Sequence, residues 1–309
     1  MAAQSLRPVT TYSIVAYDKE NNQMGVAVQS HWFSVGSSVP WAEPGVGAVA
    51  TQSFVEVSYG PLGLELMRSG KTAQQALSAL LAIDANQPVR QVAMVDARGR
   101  VAVHTGKQCI PEAGHHKGKS YSCQANLMEK NTVWKAMANA YETTTGELVD
   151  RLMAALEAAQ QEGGDIRGKQ SAAILVVSTK SSGVAWKDRI YDLRVEDHPQ
   201  PLKELKRLIT VAKAYTHMNK GDKYLTENNV KAALKEYTLA MKIYPGNPEM
   251  IFWPAVTMAS TGKVEESLPL FKKVFSLDKR WVELLKRLPQ VGQFPKDKEL
   301  MKKILAQSE

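Results

Sequence analysis

Near its start the chain has two segments whose side chains alternate as they do in neighbouring β-strands. The segments are residues 11–18 and 24–30, and the polar stretch between them has the composition of a turn. A third apolar run follows at residues 45–53. Together they predict a sheet protein whose first hairpin opens on a threonine.

A threonine at the head of a strand favours the extended backbone, and its hydroxyl can also take part in catalysis. If the α-amino group of Thr11 were free, that amine could take the proton of its own hydroxyl and make the oxygen a nucleophile. An α-amine has an ordinary pKa of about 7.7–8, so part of it is neutral at working pH and no histidine is needed. Thr10 and Thr11 are also ordinary strand-forming residues, and the strand pattern fits both interpretations.

Eight blocks of sequence along residues 11–200 carry a family resemblance: residues 11–18, 25–30, 39–42, 45–52, 59–63, 124–126, 163–173 and 192–199. They resemble a family known as DUF1028, which is grouped with the N-terminal-nucleophile (Ntn) hydrolases. The resemblance implies a four-layer αββα sandwich with a hydrolase-like fold. It implies no particular reaction, because the substrate of the family is not established.

The order of predicted elements agrees with that architecture. The predicted elements are helices at 60–85 (two, joined at Ser69-Gly70), 131–141 and 147–161, a hairpin at 89–96 and 101–105, and strands at 171–178 and 185–195. Strands and helical pairs that alternate in this way favour an α+β domain with two stacked sheets and helices outside. The two prolines of His198-Pro199-Gln200-Pro201 mark its end.

The region after the prolines carries a helical repeat. At an offset of 34 residues Ala233 aligns with Ser267 and Tyr237 with Phe271, the spacing of a tetratricopeptide (TPR) repeat. We predict repeats at 214–247 and 248–281, with flanking helices at 202–212 and 281–288. This part resembles an extension of some family members that is named as peptidoglycan-binding, but a protein-interaction or dimerisation role is the simpler interpretation.

The predicted organisation is therefore an N-terminal extension (1–10), an Ntn-like domain (11–200), a linker helix (201–213) and an all-α TPR-like domain (214–309). Charge divides at the same place: residues 1–200 hold 19 basic and 19 acidic residues, whereas residues 201–309 hold 20 and 12. An anionic partner, either a protein or a cell-wall polymer, would therefore meet the second part; ordinary solubilising lysines on exposed helix surfaces are an equally good interpretation. Two repeats bury little surface, so we expect them to stack on the first domain or to pair in a homo-oligomer.

Thr11 is the predicted catalytic nucleophile, which requires that the bond between Thr10 and Thr11 be broken. The remaining site residues are implied by the family resemblance together with chemical suitability. Ser30, at the end of the second strand, would hydrogen-bond the freed amine, or simply cap a turn. Gln52 and Asn126 could donate amide N–H groups to a developing oxyanion, or satisfy buried backbone.

The same resemblance and the chemistry of the side chains imply that four residues of a glycine-rich loop and the strand after it bind substrate: Asp165, Arg167, Gln170 and Ser171. The Arg167 guanidinium suits a carboxylate because its fork binds two oxygens at once. An ion pair of purely structural function is an equally good interpretation of Asp165 and Arg167. Asp192 and Arg194 share one strand face and are expected to pair.

Other classes of function have little support. Cys109, His115, His116 and Cys123 match no zinc spacing, although a Cys109–Cys123 disulfide is conceivable in an exported protein. No nucleotide fingerprint is present, and the basic helices lack the interleaved aromatics of a nucleic-acid surface. We expect no metal, no cofactor and no membrane span; without a visible signal peptide the sequence as written is expected in the cytoplasm, or outside it if this is a mature form.

Two functions from different classes remain. The first is an amidohydrolase that acts on a small amide or peptide through Thr11. The second is a non-catalytic binding or scaffold protein that keeps the fold uncleaved and recruits a partner through its repeats.

Overall fold

The computed structural model describes Val9 and residues 11–308, and the chain divides into two compact units, one up to Arg207 and one from Leu208. The first unit is a mixed α+β structure. Its strands are Thr11–Asp18 (β1), Gln23–Ser30 (β2), Pro40–Glu43 (β3), Gly47–Ser53 (β4), Arg90–Asp96 (β5), Val101–Thr105 (β6), Gly114–Gly118 (β7), Tyr121–Ala125 (β8), Ser171–Ser178 (β9) and Arg189–Val195 (β10). Its helices are Tyr59–Arg68 (α1), Ala73–Ile83 (α2), Val133–Thr143 (α3), Leu148–Gln161 (α4) and Ala185–Asp188 (α5).

The strands form two antiparallel sheets. One has the order β10-β9-β2-β1-β8-β7 and the other the order β3-β4-β5-β6. Val15 and Val26 of the first sheet share one buried core with Val95 of the second, so the sheets pack face to face. Helices α3 and α4 pack on the outer face of the six-stranded sheet, and α1 and α2 pack on the four-stranded sheet.

The predicted first hairpin is confirmed, with Thr11 opposite Ser30 in the register of β1 and β2. The predicted strand at 185–195 is wrong in its first part, because residues 185–188 form α5 and the strand begins at Arg189. Strands β3, β7 and β8 were not predicted. β7 reads Gly-His-His-Lys-Gly and is an edge strand with little buried apolar surface, so hydrophobic alternation does not reveal it.

The second unit is helical. Pro201–Thr226 (α6) crosses the boundary between the units and continues into it, and the remaining helices are Val230–Ile243 (α7), Pro248–Ser260 (α8), Val264–Leu277 (α9), Arg280–Arg287 (α10) and Lys298–Leu305 (α11). The helix predicted at 202–212 is too short, because no helix-stopping residue separates it from the following segment. Helices α7 and α9 lie 34 residues apart at both ends, and Ala233, Tyr237 and Ala240 are buried at the same steps as Ser267, Phe271 and Val274. Within the described residues, no helix is both long and apolar enough to cross a membrane.

Gly221 allows α6 and α7 to approach closely. A Cβ atom at this position would lie 2.3 Å from a ring carbon of Tyr237, which is itself only 1% exposed. The Tyr237 hydroxyl also donates to Asp222 Oδ1 at 2.6 Å, so the ring has no freedom to move aside.

Gly221→Val is therefore expected to lower the free energy of unfolding of the helical unit by about 2 kcal/mol, through overpacking. Thermal unfolding followed by circular dichroism would measure the change. Gly246→Ala is the matched control, since a Cβ there meets open space, and we expect it to alter stability by less than about 0.5 kcal/mol. An equal loss in both variants would contradict this account.

Candidate active site at the head of the first strand

Polar residues collect where several strands end on the same side of the two sheets. Thr11 is the first residue of β1 and Ser30 is the last of β2, and both are fully buried. Thr11 Oγ1 lies 2.9 Å from the carbonyl oxygen of Val9 and 3.2 Å from Ser30 Oγ. A hydroxyl has one hydrogen and two lone pairs, so Thr11 can donate to Val9 while it accepts from Ser30.

Val9 covers this hydroxyl. Its backbone exchanges two hydrogen bonds with Ser53 at the end of β4, with N···O distances of 2.7 and 3.0 Å. Val9 is 1% exposed and Thr11 is 0% exposed, so no solute reaches the Thr11 hydroxyl in this arrangement.

Buried side-chain amides surround the backbone of Thr11. Gln52 Nε2 donates to the Thr11 carbonyl oxygen at 3.2 Å and to Gln91 Oε1 at 2.7 Å. Asn126 Nδ2 donates to the same Gln91 oxygen at 2.9 Å and lies 3.5 Å from the Thr11 carbonyl oxygen. The second Asn126 contact is long, so one hydrogen of that amide is only weakly engaged. Asn126 is therefore better placed than Gln52 to donate to a new oxygen.

Gln91 connects this network to both sheets. Its Nε2 lies within hydrogen-bonding distance of Thr105 Oγ1 (3.0 Å), the Gly114 carbonyl oxygen (3.2 Å) and the Ala125 carbonyl oxygen (2.9 Å). Because these acceptors come from β6, β7 and β8, one side chain ties three strands together.

Ser13 extends the network along β1. Its hydroxyl donates to Gln52 Oε1 and accepts from Gln124 Nε2, both at 2.6 Å. Gln124 Oε1 and Asn126 Oδ1 are buried and have no hydrogen-bond partner among the described residues. Buried acceptors of this kind ordinarily have a partner. These two oxygens can therefore still accept hydrogen bonds from further donors.

The buried tyrosine and cysteine side chains of this unit with raised pKa values are neutral. Burial, and then the Asp165 carboxylate, raise the pKa of Tyr12 well above its ordinary value, and its hydroxyl donates to Gln160 Oε1 at 3.2 Å. Burial also raises the pKa of the Cys109 and Cys123 thiols, both of which are free cysteines. Neither cysteine is a thiolate at neutral pH, which leaves hydroxyl groups as the nucleophile candidates.

A cleft of about 650 Å³ opens next to Ser30. It is lined by His31, Trp32, Phe33, Arg167 and Gln170. Phe33 is 63% exposed, so the cleft presents an aromatic surface as well as polar groups.

Asp165 anchors the Arg167 side of the cleft. Arg167 Nε lies 3.0 Å from Asp165 Oδ1 and the terminal nitrogen Nη2 lies 2.8 Å from Oδ2, which is a two-pronged ion pair. The Asp165 side chain is fully buried and also accepts from the backbone N–H of His31 at 3.2 Å. The Arg167 side chain remains 28% exposed, and its ion pair holds the guanidinium in a fixed orientation at the cleft.

The other two predicted substrate-binding residues differ in position. Gln170 lines the cleft, and its Nε2 donates to Asp197 Oδ1 at 3.2 Å. Ser171 is the first residue of β9 and does not line the cleft; it accepts from the backbone N–H of Val35 at 3.0 Å and donates to the Trp32 carbonyl oxygen. Ser171 thus stabilises the turn that carries the aromatic residues. The expected pairing of Asp192 with Arg194 is confirmed, at 3.3 Å.

Gln91, Ser13 and Gln124 were not singled out from the sequence. Each is a polar residue among apolar neighbours in its strand, and only the packing of strands distant in sequence shows that they meet. His115, considered with Cys109, His116 and Cys123 as a metal candidate, has its Nδ1 2.9 Å from Thr105 Oγ1. Within the described part of the chain, no three His, Cys, Asp or Glu side chains are placed to share a metal ion.

The fold and the site define a class: an α+β protein in which two antiparallel sheets enclose a buried polar centre at a strand-head threonine, followed by a helical unit. The chain belongs to DUF1028, a family described as being of unknown function, whose family model matches residues 11–205. It is similar to the crystal structure of protein SPO2555 from Silicibacter pomeroyi, assigned to the same family, with 28% identity and a TM-score of 0.59 over 66% of this chain and 86% of that one. No curated protein matches the chain.

Proposed function

We propose that the first unit is an Ntn-type amidohydrolase whose nucleophile is the Thr11 hydroxyl. The observation that supports this most directly is the position of Thr11 at the head of a central strand, between two stacked sheets, with its hydroxyl 3.2 Å from Ser30 Oγ. The helix–sheet–sheet–helix packing of this unit is the arrangement expected of an Ntn-type sandwich. The proposed chemistry begins once the bond before Thr11 is broken.

The freed α-amine of Thr11 would take the proton of Oγ1 as that oxygen attacks an amide carbonyl carbon. Ser30 would orient the amine, and the weakly engaged Asn126 N–H would donate to the oxyanion, with Gln52 holding the Thr11 backbone. The amine then passes its proton to the leaving nitrogen, the C–N bond breaks and an ester to Thr11 remains. Water, deprotonated by the same amine, hydrolyses that ester and regenerates the hydroxyl.

The cleft beside Ser30 favours a small amide or peptide that carries a carboxylate. Arg167 presents a fixed guanidinium, while Trp32 and Phe33 offer apolar contact. An amide whose acyl part bears the carboxylate would place its scissile bond toward Ser30 and Thr11.

The non-catalytic alternative has an observation of its own. Val9 pairs with the backbone of Ser53 and accepts a hydrogen bond from the Thr11 hydroxyl. In the uncleaved chain these groups of Ser53 and Thr11 therefore already have partners, which removal of Val9 would take away. A protein that stays in this form would be a binding or scaffold protein.

We also propose that α6–α9 are two TPR-like repeats that serve interaction or self-association. The identical 34-residue spacing of α7 and α9, with matching buried positions, supports this. Ala233 and Ser267 are small and fully buried at equivalent positions of α7 and α9, as expected where the paired helices of a TPR-like repeat cross closely.

Intact mass spectrometry of the purified full-length chain tests the central proposal. We expect a species that has lost residues 1–10 and whose terminal sequence begins at Thr11, and we expect that species alone to release p-nitroaniline from a panel of N-acyl p-nitroanilides. A chain that hydrolyses these anilides with Val9 still attached would refute the mechanism. A chain that is never cleaved and never active would favour the scaffold function.

Arg167→Lys keeps the charge but loses the two-pronged geometry, so KM for a carboxylate-bearing anilide should rise about tenfold, with kcat changed less than about twofold. The uncharged analogue of the same anilide should show no change. Arg194→Lys is the matched control, because Arg194 is exposed, pairs with Asp192 on the edge strand β10 and does not line the cleft. An equal rise in KM for both anilides would rule out carboxylate recognition by Arg167.

A further inference from the structure

The second unit has a groove that neither the proposed hydrolysis nor the predicted repeats account for. It has a volume of about 760 Å³ and lies between α10, the turn after it and α11. We call it the lysine groove; its basic residues are Lys286, Lys296, Lys298 and Lys302, and its apolar residues include Val282, Met301 and Leu305.

The charge of the groove is largely uncompensated. Lys286 pairs with Glu283 at 2.7 Å, but Lys296, Lys298 and Lys302 form no ion pair with any described residue. One carboxylate, Asp297, lines the groove, and its Oδ1 accepts from two backbone N–H groups at the start of α11, at 2.9 and 3.0 Å. Asp297 is thus occupied as a helix cap, and among the described residues it is not an ion-pair partner of Lys296, Lys298 or Lys302.

The floor of the groove is apolar. Val282 belongs to the buried core of this unit, and Met301 and Leu305 pack against that core while remaining partly exposed. A purely polyanionic ligand, such as a phosphate polymer, would use the lysines but leave this floor in contact with water. An occupant that fits both features has apolar side chains interspersed with carboxylates.

We propose that the lysine groove binds an acidic segment of a partner protein, in which glutamate or aspartate alternates with leucine-like residues. The carboxylates pair with Lys296, Lys298 and Lys302, and the apolar side chains cover Met301 and Leu305. This interaction is independent of the proposed hydrolysis, since it uses only residues of the second unit.

Fluorescence anisotropy of a short labelled peptide with alternating Glu and Leu, added to the full chain, tests this directly. We expect saturable binding, and a Kd at least about tenfold higher for the peptide with Ser in place of Leu and for the one with Gln in place of Glu. The Ser-for-Leu peptide keeps the charge and loses the apolar side chains, so it shows how much of the binding depends on apolar contact. Failure of the original peptide to bind, or equal binding of the Ser peptide, would overturn the proposal.

The variant Lys298→Glu/Lys302→Glu should raise the Kd at least about tenfold. The matched control is Lys231→Glu/Lys235→Glu, which makes the same charge change at exposed positions of α7. Since Glu is favourable in the first turn of a helix, the change at Lys298 should not unfold α11, and circular dichroism would verify this. An equal rise in Kd for both pairs of substitutions would show attraction to net charge alone and would overturn the proposal. Complete displacement of the peptide by polyphosphate at equal charge concentration would also overturn it.

Discussion

Thr11→Ala should reduce kcat/KM for amide hydrolysis by at least about 10³-fold and leave the chain folded. The substitution removes the proposed nucleophile. The folded structure loses only one buried hydroxyl, whose contacts are with Val9 and Ser30. Loss of such a hydrogen bond costs about 1 kcal/mol, which a folded domain tolerates. Release of p-nitroaniline by the processed protein, together with thermal unfolding, would separate the two effects.

Thr11→Ser is the control for this substitution. It keeps a hydroxyl on the same residue, so hydrolysis should remain within about tenfold of the parent protein. The Ala variant must be supplied as a chain that begins at residue 11, in order that a failure of processing is not mistaken for a loss of chemistry. Undiminished turnover in that shortened Ala variant would exclude Thr11 as the nucleophile.

Gln91→Leu should lower the free energy of unfolding of the first unit by about 3 kcal/mol. The substitution preserves volume but removes the acceptor of Gln52 and Asn126 and the donor to the Ala125 carbonyl oxygen. Each buried group left without a partner retains its desolvation cost, so the losses accumulate. Urea unfolding followed by circular dichroism would measure the change.

Two comparisons make this test specific. Gln74→Leu changes an exposed glutamine on α2 and should alter stability by less than about 0.5 kcal/mol. The double variant Gln52→Leu/Gln91→Leu should lose less than the sum of the single variants, because the two amides share one hydrogen bond. If the loss of stability in the double variant equals the sum of the two single losses, Gln52 and Gln91 act independently.

Local sequence patterns predicted much of the fold. The strands β1, β2 and β9 and the helices α1–α4 follow from side-chain alternation and helical periodicity. The weak polar edge strand β7 and the single helix that spans Pro201–Thr226 did not follow, because edge pairing and helix continuity depend on contacts with distant segments.

The candidate site shows the same division. Thr11 and Ser30 are linked by a tight hairpin, so their proximity could be inferred from nearby residues. Gln52 and Asn126 were selected through family resemblance, and their shared partner Gln91 was missed. A glutamine in a strand has the same appearance in the sequence whether its amide faces solvent or joins two sheets.

The order of residues alone was enough to predict many of the strands and helices, the position of Thr11 at the head of a strand, and the excess of positive charge in the last third of the chain. Those properties depend on neighbours in sequence, through backbone preferences and the period of apolar side chains. Folding in three dimensions established that Val9 covers Thr11, that Gln91 joins β6, β7 and β8, and that Lys296, Lys298 and Lys302, which pair with no described carboxylate, line a groove with an apolar floor. Those properties require segments distant along the chain to pack together, and short-range rules contain no information about which of them meet.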